Sequence, residues 1–278
     1  MTRRFAIIMI LLLLGNITLL SQEVRDDVFV KAQQWRDSSQ WDSAIYYLEK
    51  AIENFQQKGL SINSFNARIL LNDSRIEALH FEQADSALNQ LLIEARTKFP
   101  EIDINLAKVL DLQGKVAIEL GRYTEAVGKL QESLAIRRNL NLKDDATGLT
   151  YYRLGDAWRS QGVVDSAMAA YESALEIRQN LFGDESEKVA AVWSNIAILH
   201  RITGNYDQAM RIYEKSDSVI VKVFGPDHKR RGSILNGMAI IHAQSARYPQ
   251  ALEYFNQLLQ IDLKTLASDS PTLARTYT

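Results

Sequence analysis

The sequence predicts an all-α protein, a right-handed superhelical solenoid of stacked helix-turn-helix units. Three observations predict it. A short phrase centred on Ala recurs roughly every 42 residues along the 278-residue chain. Upstream of each copy, apolar and aromatic residues return at i, i+3, i+4 and i+7, the spacing of one helix face. Helix breakers are scarce, with 13 Gly and 4 Pro, so long helices meet few interruptions.

The recurring phrase is an aromatic or apolar residue, two polar residues, Ala, then Leu or an aromatic four residues later. It reads Trp41-Asp42-Ser43-Ala44 with Leu48, and Tyr123-Thr124-Glu125-Ala126 with Leu130. Val164-Asp165-Ser166-Ala167 with Tyr171, Tyr206-Asp207-Gln208-Ala209 with Tyr213, and Tyr248-Pro249-Gln250-Ala251 with Phe255 continue it. A weaker copy is read as Ala84-Asp85-Ser86-Ala87 with Leu91. Internal periods of this size mark repeat architectures, in which each unit buries its apolar face only by stacking on its neighbours.

The upstream phrase is clearest as Tyr151-Tyr152-Arg153-Leu154-Gly155-Asp156-Ala157-Trp158. Small residues at Gly114, Gly155, Ala197 and Ala239 are expected where two helices approach closely; by the same count Arg75 fills this slot in the second unit. Gly121, Gly162 and Gly204 are expected to end the first helix of a pair, because the residue past a helix end often takes φ > 0. Asp42, Asp165 and Asp207 then stand at the entry of the second helix, as N-caps or first-turn acids. The second helix of the fifth unit is expected to run roughly from Asp207 to Phe224.

Helix A, a tight turn and helix B, with these aromatic, Leu-Gly and Ala positions, resemble the tetratricopeptide repeat. The resemblance covers about residues 25–278. The long period and the connectors Leu181-Phe182-Gly183-Asp184 and Val223-Phe224-Gly225-Pro226-Asp227-His228 resemble the kinesin-light-chain subtype. The units are placed at about 25–66, 67–106, 107–147, 148–189, 190–231 and 232–273. A truncated seventh is expected to open at 274–278, because Tyr277 falls at the aromatic slot. The chain is therefore expected to continue beyond Thr278.

At the N-terminus, Arg3-Arg4 precede an apolar run from Phe5 to Leu14 and a second from Ile17 to Leu20. This is the layout of a secretory signal peptide over residues 1–21. The protein is expected to be exported to the periplasm or secreted, beginning near Gln22, with no membrane association apart from that segment. A formal net charge of −2 gives no concentrated basic surface, and so no expectation of nucleic acid. The absence of cysteine excludes disulfides, thiol nucleophiles and zinc-thiolate sites.

No nucleophile, metal or phosphate motif is present, so no enzyme activity, cofactor or metal is expected. His200 and His242 occupy one slot of adjacent units and are read as packing residues. What remains is surface. The resemblance implies a ligand lying along the concave face, touching a stripe of helix A. Carried over residue by residue, the candidate stripe comprises Asn72, Lys108, Asp111, Lys115, Tyr152, Asp156, Arg159, Ser194, Arg201 and Asn236, with Ile198 and Ile240 beside them. Asn and Tyr there suit a peptide backbone, and Lys115, Arg159 and Arg201 suit carboxylates. The expected role is a non-catalytic scaffold for a peptide segment or partner domain. The alternative is the sensor region of a larger exported protein that carries, for example, a CHAT-type caspase-like protease domain or a membrane-linked signalling domain.

Overall fold

The structure, a computed structural model, describes residues 26–265. The expected signal segment and the expected seventh unit lie outside the described residues. Twelve α-helices and one short 3-10 turn, Lys229–Arg231, make up the described chain, and no strand occurs among those residues. Two compact units are formed, one up to Ile93 and the other from Glu94 onward.

The first unit holds α1 (Asp27–Asp37), α2 (Trp41–Gln57), α3 (Ser61–Glu77) and most of α4 (Phe81–Lys98). The second holds the last turn of α4, then α5 (Ile104–Glu119), α6 (Tyr123–Asn139), α7 (Asp145–Ser160) and α8 (Val164–Phe182). It continues with α9 (Glu187–Ile202), α10 (Tyr206–Phe224), α11 (Gly232–Gln244) and α12 (Tyr248–Thr265). The helices fall into six antiparallel pairs. The second to fifth pairs start a few residues before their expected boundaries, at Ser61, Ile104, Asp145 and Glu187, and the break expected at 66/67 falls inside α3. A periodic pattern sets the length of a unit but not the phase at which it is cut.

First helices are entered through a side-chain cap in four pairs. Asp26, Asp103, Asp144 and Ser186 each accept a hydrogen bond from a backbone N–H of the first turn, which satisfies an otherwise orphaned donor. The second helices α2, α6, α8 and α10 have no such side-chain cap. Asp42, Asp165 and Asp207 sit in their first turns and act on the helix dipole, not as caps.

The turn between the two helices of a pair repeats in all six. Each has one residue with φ > 0: Ser39, Leu79, Gly121, Gly162, Gly204 and Ala246. The N–H that follows bonds back to the carbonyl five residues earlier, as in Gln40 to Trp35, His80 to Arg75 and Arg122 to Ala117. This is a Schellman-type closure.

That turn corrects the register of the second pair. Counted from Leu79, the buried Ala of α4 is Ala84, followed four residues later by Leu88; both are fully buried. Ala87 is only partly buried. The phrase is therefore Phe81-Glu82-Gln83-Ala84 with Leu88, not Ala84-Asp85-Ser86-Ala87 with Leu91. The polar pair Asp85-Ser86 imitated the neighbouring copies three residues late. The small-residue slot likewise belongs to Asn72 instead of Arg75.

The core is a row of these positions. Ala44, Ala84, Ala126, Ala167 and Ala209 are fully buried, as are Leu48, Leu88, Leu130 and Tyr171. The small slot is a real close approach. A Cβ added to Gly114 would stand 2.5 Å from Leu130, and one added to Gly155 would stand 2.5 Å from the ring of Tyr171. No described helix is long and apolar enough to cross a membrane.

Candidate functional site on the first-helix face

Asn72 lies in the first unit and is buried. Its Nδ2 donates to the Arg68 carbonyl at 2.9 Å and its Oδ1 accepts from Arg75. It is a packing residue with a self-satisfied amide, which the corrected register explains. Its neighbour Asp73 takes the stripe position and pairs with Arg36 at 2.8 Å.

The other nine candidates belong to the second unit. Lys108 and Asn236 are exposed, and Lys115, Tyr152, Asp156, Arg159 and Arg201 are partly buried. Asp111 and Ser194 are buried. Asp111 is paired with Arg153 at 2.9 Å. The Ser194 hydroxyl lies 2.8 Å from the Ser216 hydroxyl and bonds the Ala190 carbonyl. Both are used in joining helices and offer little to a ligand.

Tyr152, Asp156 and Arg159 are brought together on α7 by helical spacing. The hydroxyl of Tyr171, from α8, donates to Asp156 Oδ1 at 2.7 Å and accepts from Arg159 Nε at 3.2 Å. Asn195, from α9, donates its Nδ2 to the same carboxylate oxygen at 3.0 Å. The circuit joins three helices and two pairs. Burial pushes the Asp156 carboxyl above the usual carboxylate range, against the bond from Tyr171 and the charge of Arg159. Burial also raises the Tyr152 phenol, to about 12. The Tyr152 ring sits against Tyr171 with centroids 5.8 Å apart and carries the Arg178 guanidinium on its face.

Tyr171 and Asn195 complete this network and Arg153 holds Asp111, and sequence reasoning missed all three. A signal for Tyr171 existed. It stands where the first three pairs have Leu, and a buried phenol in a Leu position requires a partner for its hydroxyl.

The next pair repeats the framework with different polar groups. Tyr213 occupies the Tyr171 position and Arg201 the Arg159 position. Ile198 stands where Asp156 stands, and Gly237 where Asn195 does. The Tyr213 hydroxyl and Arg201 Nε are both buried, the Arg201 side chain is the group placed to hydrogen-bond that hydroxyl, and no carboxylate joins them. A Cβ on Gly237 would meet that hydroxyl at 2.5 Å. Burial raises the Tyr213 phenol, while Arg201 and Arg159 act to lower it.

His242 stacks on Tyr254, with centroids 5.5 Å apart and planes 16° apart. Among the described residues no group of three or more His, Asp or Glu side chains converges as a metal site would.

The tetratricopeptide repeat family model matches three overlapping stretches, residues 105–180, 147–216 and 188–264. No curated protein matches the chain. Among solved structures, BtubC (BKLC) from P. vanneervenii is similar with a TM-score of 0.68 at 17% identity, over 83% of this chain and 94% of that one. A Podosopora anserina protein described as a kinesin light chain with nearly identical TPR-like repeats gives 0.60 at 18% identity, over 73% and 97%. A Rap protein in complex with competence and sporulation factor gives 0.68 at 14% identity, over 90% and 69%. At these identities the likeness is one of fold, that of an all-α repeat solenoid. With the family model covering more than half of its length, the chain belongs to the tetratricopeptide-repeat family.

Proposed function

We propose that the chain is a non-catalytic scaffold that holds a peptide segment or a partner domain along the first helices of its second unit, after export and cleavage near Gln22. One observation carries the binding reading. Lys108 and Asn236 are exposed, and Tyr152, Arg159 and Arg201 partly so, on helices whose opposite faces are locked into the core. A polar surface on a rigid support binds without a large ordering cost. The Rap protein similar in fold was solved in complex with competence and sporulation factor, which is consistent with that use of the architecture. The export reading rests on Arg3-Arg4 and the apolar run after them.

The test begins with a pull-down using residues 22–278, followed by affinity measurement for each recovered partner. Lys108→Glu combined with Asn236→Arg changes only exposed side chains, so the fold should survive. Binding weakened tenfold or more supports the reading. Undiminished affinity places the partner elsewhere. Arg159→Glu is a poor probe, because it sets a like charge beside Asp156 and breaks the circuit with Tyr171. N-terminal sequencing of the exported protein checks cleavage, and recovery with Met1 intact would refute it.

A further inference from the structure

Successive pairs of the second unit meet at junctions built to one plan, and the junctions differ in what closes them. Pairs four and five meet along α8, α9 and α10. There Lys215 lies over the Trp193 ring, 3.6 Å from its centroid. Its Nζ reaches Asp184 at 3.4 Å, and Gln179 donates to the same carboxylate at 2.7 Å. Lys222 pairs with Glu185, and Lys264 pairs likewise with Asp227, at 2.7 Å, in the following junction.

Pairs three and four meet along α6, α7 and α8. The helices α7 and α8 match α9 and α10 in length, one period earlier, and the buried Arg137 and Arg178 align α6 with α8. By this count Tyr151 stands where Trp193 does. Ser173 and Asn180 replace Lys215 and Lys222, Leu142 and Lys143 replace Asp184 and Glu185, and Arg138 replaces Gln179. The Ser173 hydroxyl donates back to the Ala169 carbonyl at 2.9 Å. No cation covers Tyr151, and exposed Arg138 and Lys143 have no ion pair among the described residues. The junction holds a cavity of about 430 Å³ walled by Leu134, Leu142, Tyr151, Ile177 and Leu181, with Arg138, Lys143 and Glu176 among its polar lining. None of the ten candidate first-helix residues lines it.

We infer that the junction of the third and fourth pairs is a binding site for a small amphipathic carboxylate, on the second-helix side of the molecule. The apolar body lies against Tyr151, in the place that the Lys215 side chain takes in the next junction. The anionic head meets Arg138 and Lys143. Apolar walls select the body, because a polar group sunk among them would lose its hydrogen bonds to water. Two cations against the single Glu176 select the negative head. Ser173 sets the specificity of the junction: its short side chain cannot cross the cavity as Lys215 crosses its own. This site is independent of the peptide-scaffold reading above.

The experiment titrates octanoate, and separately octanol, into the whole chain by isothermal calorimetry. Ser173→Lys with Leu142→Asp rebuilds the closure of the next junction and should lower octanoate affinity about tenfold or more. Arg138→Glu with Lys143→Glu changes only exposed side chains and should do the same, and it serves if the first variant fails to fold by circular dichroism. Octanol should bind the parent about tenfold more weakly than octanoate does. It should be displaced by the first double variant and indifferent to the second. Octanoate held equally by the parent and both variants, or not held at all, would overturn the inference. Octanol bound as tightly as octanoate would overturn the anionic head. Lys108→Glu with Asn236→Arg should leave octanoate binding unchanged; a loss there would put the ligand on the first-helix face and overturn the site.

Discussion

Asp156 shares one carboxylate oxygen between a phenol and an amide, in a place where burial disfavours its charge. Its folded pKa is raised, so the folded chain keeps this proton to higher pH than the unfolded chain does. Between the unfolded value and the raised one, the folded form binds more protons, and stability falls as pH rises through that window. Asp156→Asn has no such proton. Urea unfolding across the acid-to-neutral range should show the parent losing ground to the Asn variant as pH rises. A pH-independent difference would refute the account. Gly155 controls the same circuit sterically, because the Tyr171 ring occupies the space a Cβ would need. Gly155→Ala should cost about 1–3 kcal/mol through overpacking. The control is Gly128→Ala, in open space within α6, which should gain about 1 kcal/mol from helix propensity. Equal thermal midpoints for the two variants would count against the close approach.

The pair-closing turn shows what could be read in the sequence and what could not. Three of the six turns announce themselves with Gly121, Gly162 and Gly204. The other three place Ser39, Leu79 and Ala246 in the same left-handed conformation, and no residue type advertises it. This is why the second pair was read three residues late, and why Asn72 was taken for a surface residue. The helices themselves were legible because apolar periodicity survives weak motifs: α10 spans Tyr206–Phe224 against an expected start at Asp207. The candidate stripe was legible as a direction on a helix, but spacing alone does not say which polar groups are already spent on one another. Leu79 offers a test at this scale. It is 72% exposed with φ 64°, so Leu79→Gly gives up little packing and relieves left-handed strain worth about 1 kcal/mol. Chemical denaturation should show the variant more stable than the parent by about that amount. Destabilisation would mean that Leu79 packs on something or that the turn is misassigned.

Within each unit, the helices that pack are neighbours along the chain. The two helices of a pair, the second helix and the next first helix, and some successive first helices supply the contacts. Stability in such an array is close to a sum of unit and nearest-neighbour terms. The corrected Ala positions 44, 84, 126, 167, 209 and 251 also share one phase, each twelve residues after its small slot and five after its left-handed turn residue. Ala167 and Ala209 are therefore interchangeable splice points. Excising residues 168–209 would join the first helix of the fourth pair to the second helix of the fifth without disturbing any turn. The shortened chain should fold with the parent's per-residue helicity and one fewer pair, and loss of cooperative melting would show that the junctions are not equivalent. In the hybrid, Asp156 would face Tyr213, with Gly237 alongside in place of Asn195. A gene that gains or drops one period by unequal crossing-over can in this way rewrite which polar groups meet between its helices, without a single point mutation.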